Sequence, residues 1–162
     1  MSTTTRARYY LFKSEPDAYS LDDLEREGRT EWGGVRNYQA RNLMREMHPG
    51  DLGFFYHSST TPPGVVGICR VAASAHPDST QFDRSSEYFD PASNPQRPRW
   101  ECVDVEFVER LPRLVSLAEI KAQPALADMV LVQRGSRLSV QPVTPAQWRA
   151  IIALSRKAAP HG

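Results

Sequence analysis

In Arg8-Tyr9-Tyr10-Leu11-Phe12-Lys13-Ser14-Glu15-Pro16, Arg8 to Lys13 reads as a strand that ends in chemistry. Tyr9 to Phe12 are aromatic or aliphatic side chains of the kind that fit a pleated, buried segment, and Pro16 stops the run. In an extended chain Leu11, Lys13 and Glu15 share one face, while Tyr10, Phe12 and Ser14 share the other. Downstream, Ser20-Leu21-Asp22-Asp23 is a capping box with Asp in place of Glu, opening a short helix to about Glu27, before Gly28. Asn37 is an N-cap for a helix running to Met47, with Ala40, Leu43, Met44 and Met47 forming one buried stripe. His48-Pro49-Gly50-Asp51 is a turn, and Leu52 to Tyr56 a buried strand. Thr60 to Gly64 is a loop and Val65 to Ala73 a second strand, in which Gly67 marks a bulge or a close backbone approach.

His76 to Arg99 holds Pro77, Pro91, Pro95 and Pro98 and few aliphatics. It reads as a long surface excursion anchored by Phe82, Tyr88 and Phe89, and a loop of that length inside a compact domain is often functional. Trp100 to Val108 is a strand in which Val103, Val105 and Phe107 alternate with Cys102, Asp104 and Glu106. Ser116-Leu117-Ala118-Glu119 is a second capping box. Met129 to Val132 is a short apolar helix or strand, and Ser136 to Val143 is extended. Thr144-Pro145-Ala146-Gln147 starts a last helix that buries Trp148, Ile151, Ile152 and Ser155. Strands separated by single helices and irregular connections predict an α+β fold. Its centre is a small mixed sheet curled toward a partly open barrel, with helices packed at its ends. Ligands often bind at the mouth of such a barrel.

The chain has 162 residues, which predicts one domain over residues 1–162, frayed at about 1–7 and 157–162. No apolar run approaches the ~20 residues that span a bilayer. Met1 to Arg8 is polar and lacks an apolar signal region, so a cytoplasmic protein is expected, with no membrane partner. Cys69 and Cys102 sit in strand-like stretches and lack paired CxxC spacing; both read as buried small hydrophobes. The histidines His48, His76 and His161 show no ligand spacing, so neither a metal nor another cofactor is expected. No exposed apolar stripe announces an interface, which favours a monomer. The net charge of +1 argues against a broad non-specific phosphate field, though not against one nucleotide held in a pocket.

Several segments carry site chemistry. Trp32 stands beside Gly33-Gly34 with no apolar period around it. It is either a stacking plate for a ligand, worth ~1–3 kcal/mol per base, or a loop tryptophan that lids the core. Arg36-Asn37-Tyr38-Gln39 offers a guanidinium and a helix N-terminus to an anion or carbonyl, or is simply a solvated helix start. Lys13 and Glu15 hold a ligand or form a rim ion pair of ~0–1 kcal/mol. Tyr56-His57-Ser58 ends a strand, where a lone histidine is more often structural. Arg134 to Ser139 is a nucleotide-contacting loop or a plain connection. No G-x-S-x-G, HExxH, Walker loop or GxGxxG is present.

Seven pieces in this order resemble the EVE domain family: Tyr9 to Pro16, Trp32 to Asn42, Pro49-Gly50-Asp51, Phe55 to Ser58, Gly64 to Ile68, Trp100 to Val105 and Arg137 to Val143. The resemblance implies a PUA-like fold and kinship with YTH domains, which hold a methylated adenine in an aromatic cage. It implies a non-catalytic reader of a modified base, notably modified cytosine in DNA, or of modified RNA or a nucleoside. The candidate base-binding residues are then Lys13-Ser14-Glu15, Trp32 as cage wall, Val35-Arg36-Asn37-Tyr38-Gln39, Tyr56-His57-Ser58, Trp100, and Arg137-Leu138-Ser139 closing one side. Two rivals remain. One is a small hydrolase of a modified nucleoside or amide, built on Lys13 and Glu15. The other is a protein-interaction module using the long Pro-rich loop.

Overall fold

The computed structural model describes residues 7–134 and 138–158. Its centre is a six-stranded mixed sheet in the order β2-β5-β4-β3-β1-β6. Strand β1 (Tyr9–Ser14) runs parallel to β3 (Leu52–His57), in register from Tyr9 beside Leu52 to Ser14 beside His57. A parallel pair needs a crossover. Here it contains α1 (Leu21–Glu27), β2 (Arg29–Glu31) and α2 (Tyr38–Arg45). The other neighbours are antiparallel: β3 with β4 (Gly64–Pro77), β4 with β5 (Glu101–Ser116), β5 with β2, and β1 with β6 (Val140–Val143). β2 and β6 are the two edges, so the sheet curls without closing into a barrel.

The sheet separates two cores, as the alternation along β1 requires. Tyr10 and Phe12 pack with Leu21, Leu24, Ala40, Met44, Phe55 and Val103 beneath α1 and α2. Leu11 packs with Phe54, Tyr56, Val65, Ile120 of α3 (Leu117–Lys121), and Trp148 and Ile151 of α4 (Pro145–Ser155). Trp148 stacks on Phe54 at 3.9 Å and on Tyr9 at 4.6 Å. All three capping boxes form, at Ser20, Ser116 and Thr144, and Asn37 caps α2.

Some elements differ from expectation. Helix α2 stops at Arg45, yet Met47 is still buried just beyond it. β4 and β5 are much longer than the alternation suggested. Four register shifts along the β4–β5 ladder break the two-residue period while the strands continue. Gly67 sits at one of them and also permits a close approach. A Cβ there would lie 2.6 Å from the Leu21 side chain and 2.9 Å from the Glu109 carbonyl oxygen. Val130–Val132 is a 3-10 turn. β6 begins only at Val140, and Gly135, Ser136 and Arg137 lie outside the described residues.

The excursion after β4 holds a 3-10 turn at Ser79–Phe82. Its anchors are polar, whereas Phe82 and Phe89 are only half-buried and Tyr88 is exposed. The buried Gln81 amide donates to the carbonyls of Asp78 (2.8 Å) and Trp100 (2.7 Å) and accepts from the Trp100 N–H (3.0 Å), tying both ends of the excursion together.

Candidate functional site

The end of β1 and the chain leaving β2 border a cleft of about 600 Å³. Lys13, Ser14 and Glu15 form one side, Glu31 to Arg36 the floor, and Tyr88 with Glu87 the far wall, with Ala18, Tyr19, Thr30 and Ser139 completing the lining. Seven of the candidates therefore come together: Lys13, Ser14, Glu15, Trp32, Val35, Arg36 and Ser139.

Trp32 is a core residue that borders the cleft. It is 8% exposed and packs edge-to-face on Phe12 (5.2 Å), Phe55 (5.6 Å) and Tyr19 (6.4 Å). No local period signals this, because its partners arrive from β1, β3 and the segment before α1. Tyr88 is the exposed aromatic of the cleft, 39% accessible, and was expected only as a loop anchor. Its ring lies over Gly34, whose φ is +82°, and a Cβ at Gly34 would sit 2.7 Å from the ring. Gly34→Ala is thus expected to cost about 1–2 kcal/mol for the left-handed backbone alone and to displace Tyr88. Urea denaturation measures the first effect, and the NMR shifts of the Tyr88 ring protons the second.

Arg36 lines the cleft, but its guanidinium is already engaged. It donates to Asp78 Oδ2 (3.0 Å), Thr80 Oγ1 (3.0 Å) and the Tyr88 carbonyl (2.6 Å), and lies 5.2 Å from the Trp100 ring centroid. Trp100 is buried outside the cleft lining, stacked on Tyr38 at 4.8 Å, with its Nε1–H donating to Asp90 Oδ2 (2.8 Å). Asn37 is occupied as a cap, accepting from the Ala40 N–H at 2.9 Å. Tyr38 and Gln39 are exposed, outside the lining. Tyr56 is buried in the second core, on the sheet face opposite Trp32, and burial pushes its hydroxyl up to about 12. His57 accepts the Leu21 N–H at Nε2 (3.1 Å), and burial lowers its pKa, so it fixes the start of α1 as a neutral ring. Ser58 donates its N–H to the Ser14 carbonyl (3.0 Å). Ser14 spends its hydroxyl on the Tyr19 carbonyl (2.5 Å). Leu138 packs half-buried on the first core, and Arg137 lies outside the described residues.

Lys13 lines the cleft at the end of β1. Its Nζ lies 5.9 Å from the Tyr56 ring centroid and, among the described residues, has no hydrogen-bond or ion-pair partner. Burial lowers its pKa. Glu15 pairs with the Ser59 hydroxyl (3.3 Å) rather than with Lys13. The cleft thus offers aromatic edges, a free donor cation, and the carboxylates of Glu15 and Glu31 as acceptors.

An open mixed sheet with helices on both faces and a lined cleft at the end of β1 defines a PUA-like domain. The chain belongs to the EVE domain family, whose model matches residues 8–154. Human thymocyte nuclear protein 1 is 38% identical over 168 aligned residues, covering 92% of this chain and 74% of that protein. The crystal structure of human THYN1 in complex with 5-methylcytosine-containing DNA superposes with a TM-score of 0.90 at 37% identity, over 94% of this chain and all of that one. A Pseudomonas putida protein superposes at 0.89 with 50% identity, over 91% of this chain and 99% of that one. The YTH domain of Zygosaccharomyces rouxii MRB1, solved with N6-methyladenosine RNA, shares the fold at 0.56 and 16% identity.

Proposed function

We propose that this protein is a non-catalytic reader that takes one modified base, preferentially a modified cytosine, into the cleft at the end of β1. The observation that carries it is a cleft whose lining brings together Trp32, Tyr88 and the half-buried Lys13, whose ammonium has no hydrogen-bond or ion-pair partner among the described residues. A cytosine presents O2 and N3 acceptors and an N4 amino donor. Lys13 answers the acceptors and the Glu15 carboxylate answers the amino group, while a ring substituent meets Val35 and the Trp32 margin. The 5-methylcytosine DNA held by human THYN1 supports this assignment. With a net charge of +1 and Arg36 engaged by Asp78, phosphate attraction is weak, so the base is extruded and selectivity comes from the cleft.

The test is a titration against matched DNA and RNA oligonucleotides carrying cytosine, methylcytosine, hydroxymethylcytosine or methyladenine. Lys13→Met is expected to weaken binding of the preferred base by about 1.5–3 kcal/mol, roughly tenfold to a hundredfold. The protonated amine is the donor, and burial has already lowered its pKa. Affinity is therefore full below that pKa and falls as pH rises through it, a dependence absent from Lys13→Met. Binding that ignores both the base and Lys13 overturns the proposal. The desolvated amine is also what a Lys13-based hydrolase would use. That alternative requires turnover of an N-acylated cytidine by the wild type and none by Lys13→Met.

A further inference from the structure

A second cluster lies behind the cleft, where three strands meet. Glu31 of β2 pairs with Asp104 of β5, and His76 of β4 pairs with Cys102 of β5. Cys102 and Asp104 are two residues apart on one strand, so all four side chains leave the same face of the sheet. A carboxylate oxygen of Glu31, a ring nitrogen of His76 and the Cys102 sulfur lie within 4.8 Å of one another. Asp104 Oδ1 stands 2.8 Å from His76 Nε2. We propose that these residues form a zinc site with one sulfur, one nitrogen and two carboxylate ligands.

The surrounding hydrogen bonds fit this assignment. His76 Nδ1 lies 3.1 Å from the Pro77 carbonyl oxygen, which can only accept, so Nδ1 carries a hydrogen and Nε2 faces the cluster. A ligand histidine is commonly oriented this way. Glu31 Oε1 accepts from the N–H (2.9 Å) and hydroxyl (2.8 Å) of Ser79. Arg29 Nη2 holds Asp104 Oδ2 at 2.9 Å, leaving Oδ1 directed inward. Cys102 is a free, buried thiol, and His76 and Glu31 are half-exposed, which gives an ion a route from solvent. A mixed sulfur, nitrogen and oxygen set suits four-coordinate zinc, with bonds of about 2.0–2.3 Å that the side chains reach by closing on the ion.

Loading displaces the thiol proton of Cys102 to solvent, together with the proton that bridges His76 Nε2 and Asp104 Oδ1 when the ring is charged, and both carboxylates stay anionic. The ion would clip the three-residue edge strand β2 to β4 and β5, immediately before Trp32. The site stands whether or not the cleft takes a base. Chain spacing gave no sign of it, because the ligands come from three strands.

The experiment titrates the full chain, reduced and stripped with a chelator, with Co²⁺ and then Zn²⁺. One equivalent of Co²⁺ is expected to give a thiolate charge-transfer band in the near ultraviolet and tetrahedral d–d bands in the visible, both removed by Zn²⁺. Cys102→Ser should lose the charge-transfer band, and His76→Gln should weaken cobalt binding at least tenfold. Glu31→Gln, at a half-exposed position, serves where Cys102→Ser fails to fold, and is expected to weaken binding similarly. No sulfur band, less than one equivalent, or equal binding by His76→Gln and Glu31→Gln overturns the proposal.

Discussion

Trp32→Ala is expected to lower folding stability by about 3–5 kcal/mol, the usual cost of truncating a packed tryptophan. The indole is 8% exposed and wedged among Phe12, Phe55 and Tyr19, so alanine leaves a void in the first core, which those rings cannot fill without leaving β1 and β3. Urea denaturation with an unchanged m-value measures the loss. A loss under about 1 kcal/mol would mean that the indole is a dispensable plate on the surface. Because the same substitution damages the floor of the cleft, lost base binding in Trp32→Ala says little about stacking. Tyr88→Ala separates the two effects. At 39% exposure its stability change should stay within about 1 kcal/mol, whereas binding of the preferred base should weaken by ~1–3 kcal/mol if the ring stacks. Unaltered affinity in Tyr88→Ala would remove that wall from the site.

The contrast between these aromatics shows where the sequence was legible. The strand at Tyr9 to Ser14 and the boxes at Ser20, Ser116 and Thr144 were readable because their causes are local: side-chain alternation, and a hydroxyl three residues from its partner. β4 and β5 were read short because the bulges that curl the sheet erase the period that reveals a strand. The sequence leaves Trp32 open between a stacking plate and a lid on the core because its packing partners are distant in sequence. The segments that form the cleft were visible as segments. Their division of labour was not, since it depends on strand face and on bonds made elsewhere. Asn37 is used up as a cap, Ser14 by the Tyr19 carbonyl, and Arg36 by Asp78. Tyr88 had only Gly34 as a hint, and a positive φ is invisible until the loop above it is placed.

Asp78→Ala carries the other large expected effect. Asp78 is 1% exposed, yet all of its acceptor capacity is used. Oδ2 receives the Gly34 N–H (2.8 Å) and Arg36 Nη1 (3.0 Å), and Oδ1 receives the Thr80 N–H (2.8 Å) and hydroxyl (2.6 Å). Alanine takes the counter-ion from Arg36 and the acceptor from two amide hydrogens, and breaking a buried pair on one side costs about 3–5 kcal/mol. Through Arg36 the damage reaches the Tyr88 carbonyl, so the wall of the cleft should loosen as well. Hydrogen exchange at Gly34 and Thr80 should accelerate, and base affinity should fall although Asp78 does not line the cleft. Acid offers a milder version of the same cut. Burial pushes the Asp78 carboxyl up, but the bonds from Thr80, Gly34 and Arg36 outweigh it and hold the pKa below its ordinary value. A depressed carboxylate stabilises the fold fully above its unfolded pKa of about 3.9, and that contribution is lost as pH falls through the lower, folded value. The stability gap between wild type and Asp78→Asn should be flat above about pH 5 and shrink below pH 4. A gap that stays constant into acid would show that the carboxylate acts there by its shape and not by its charge.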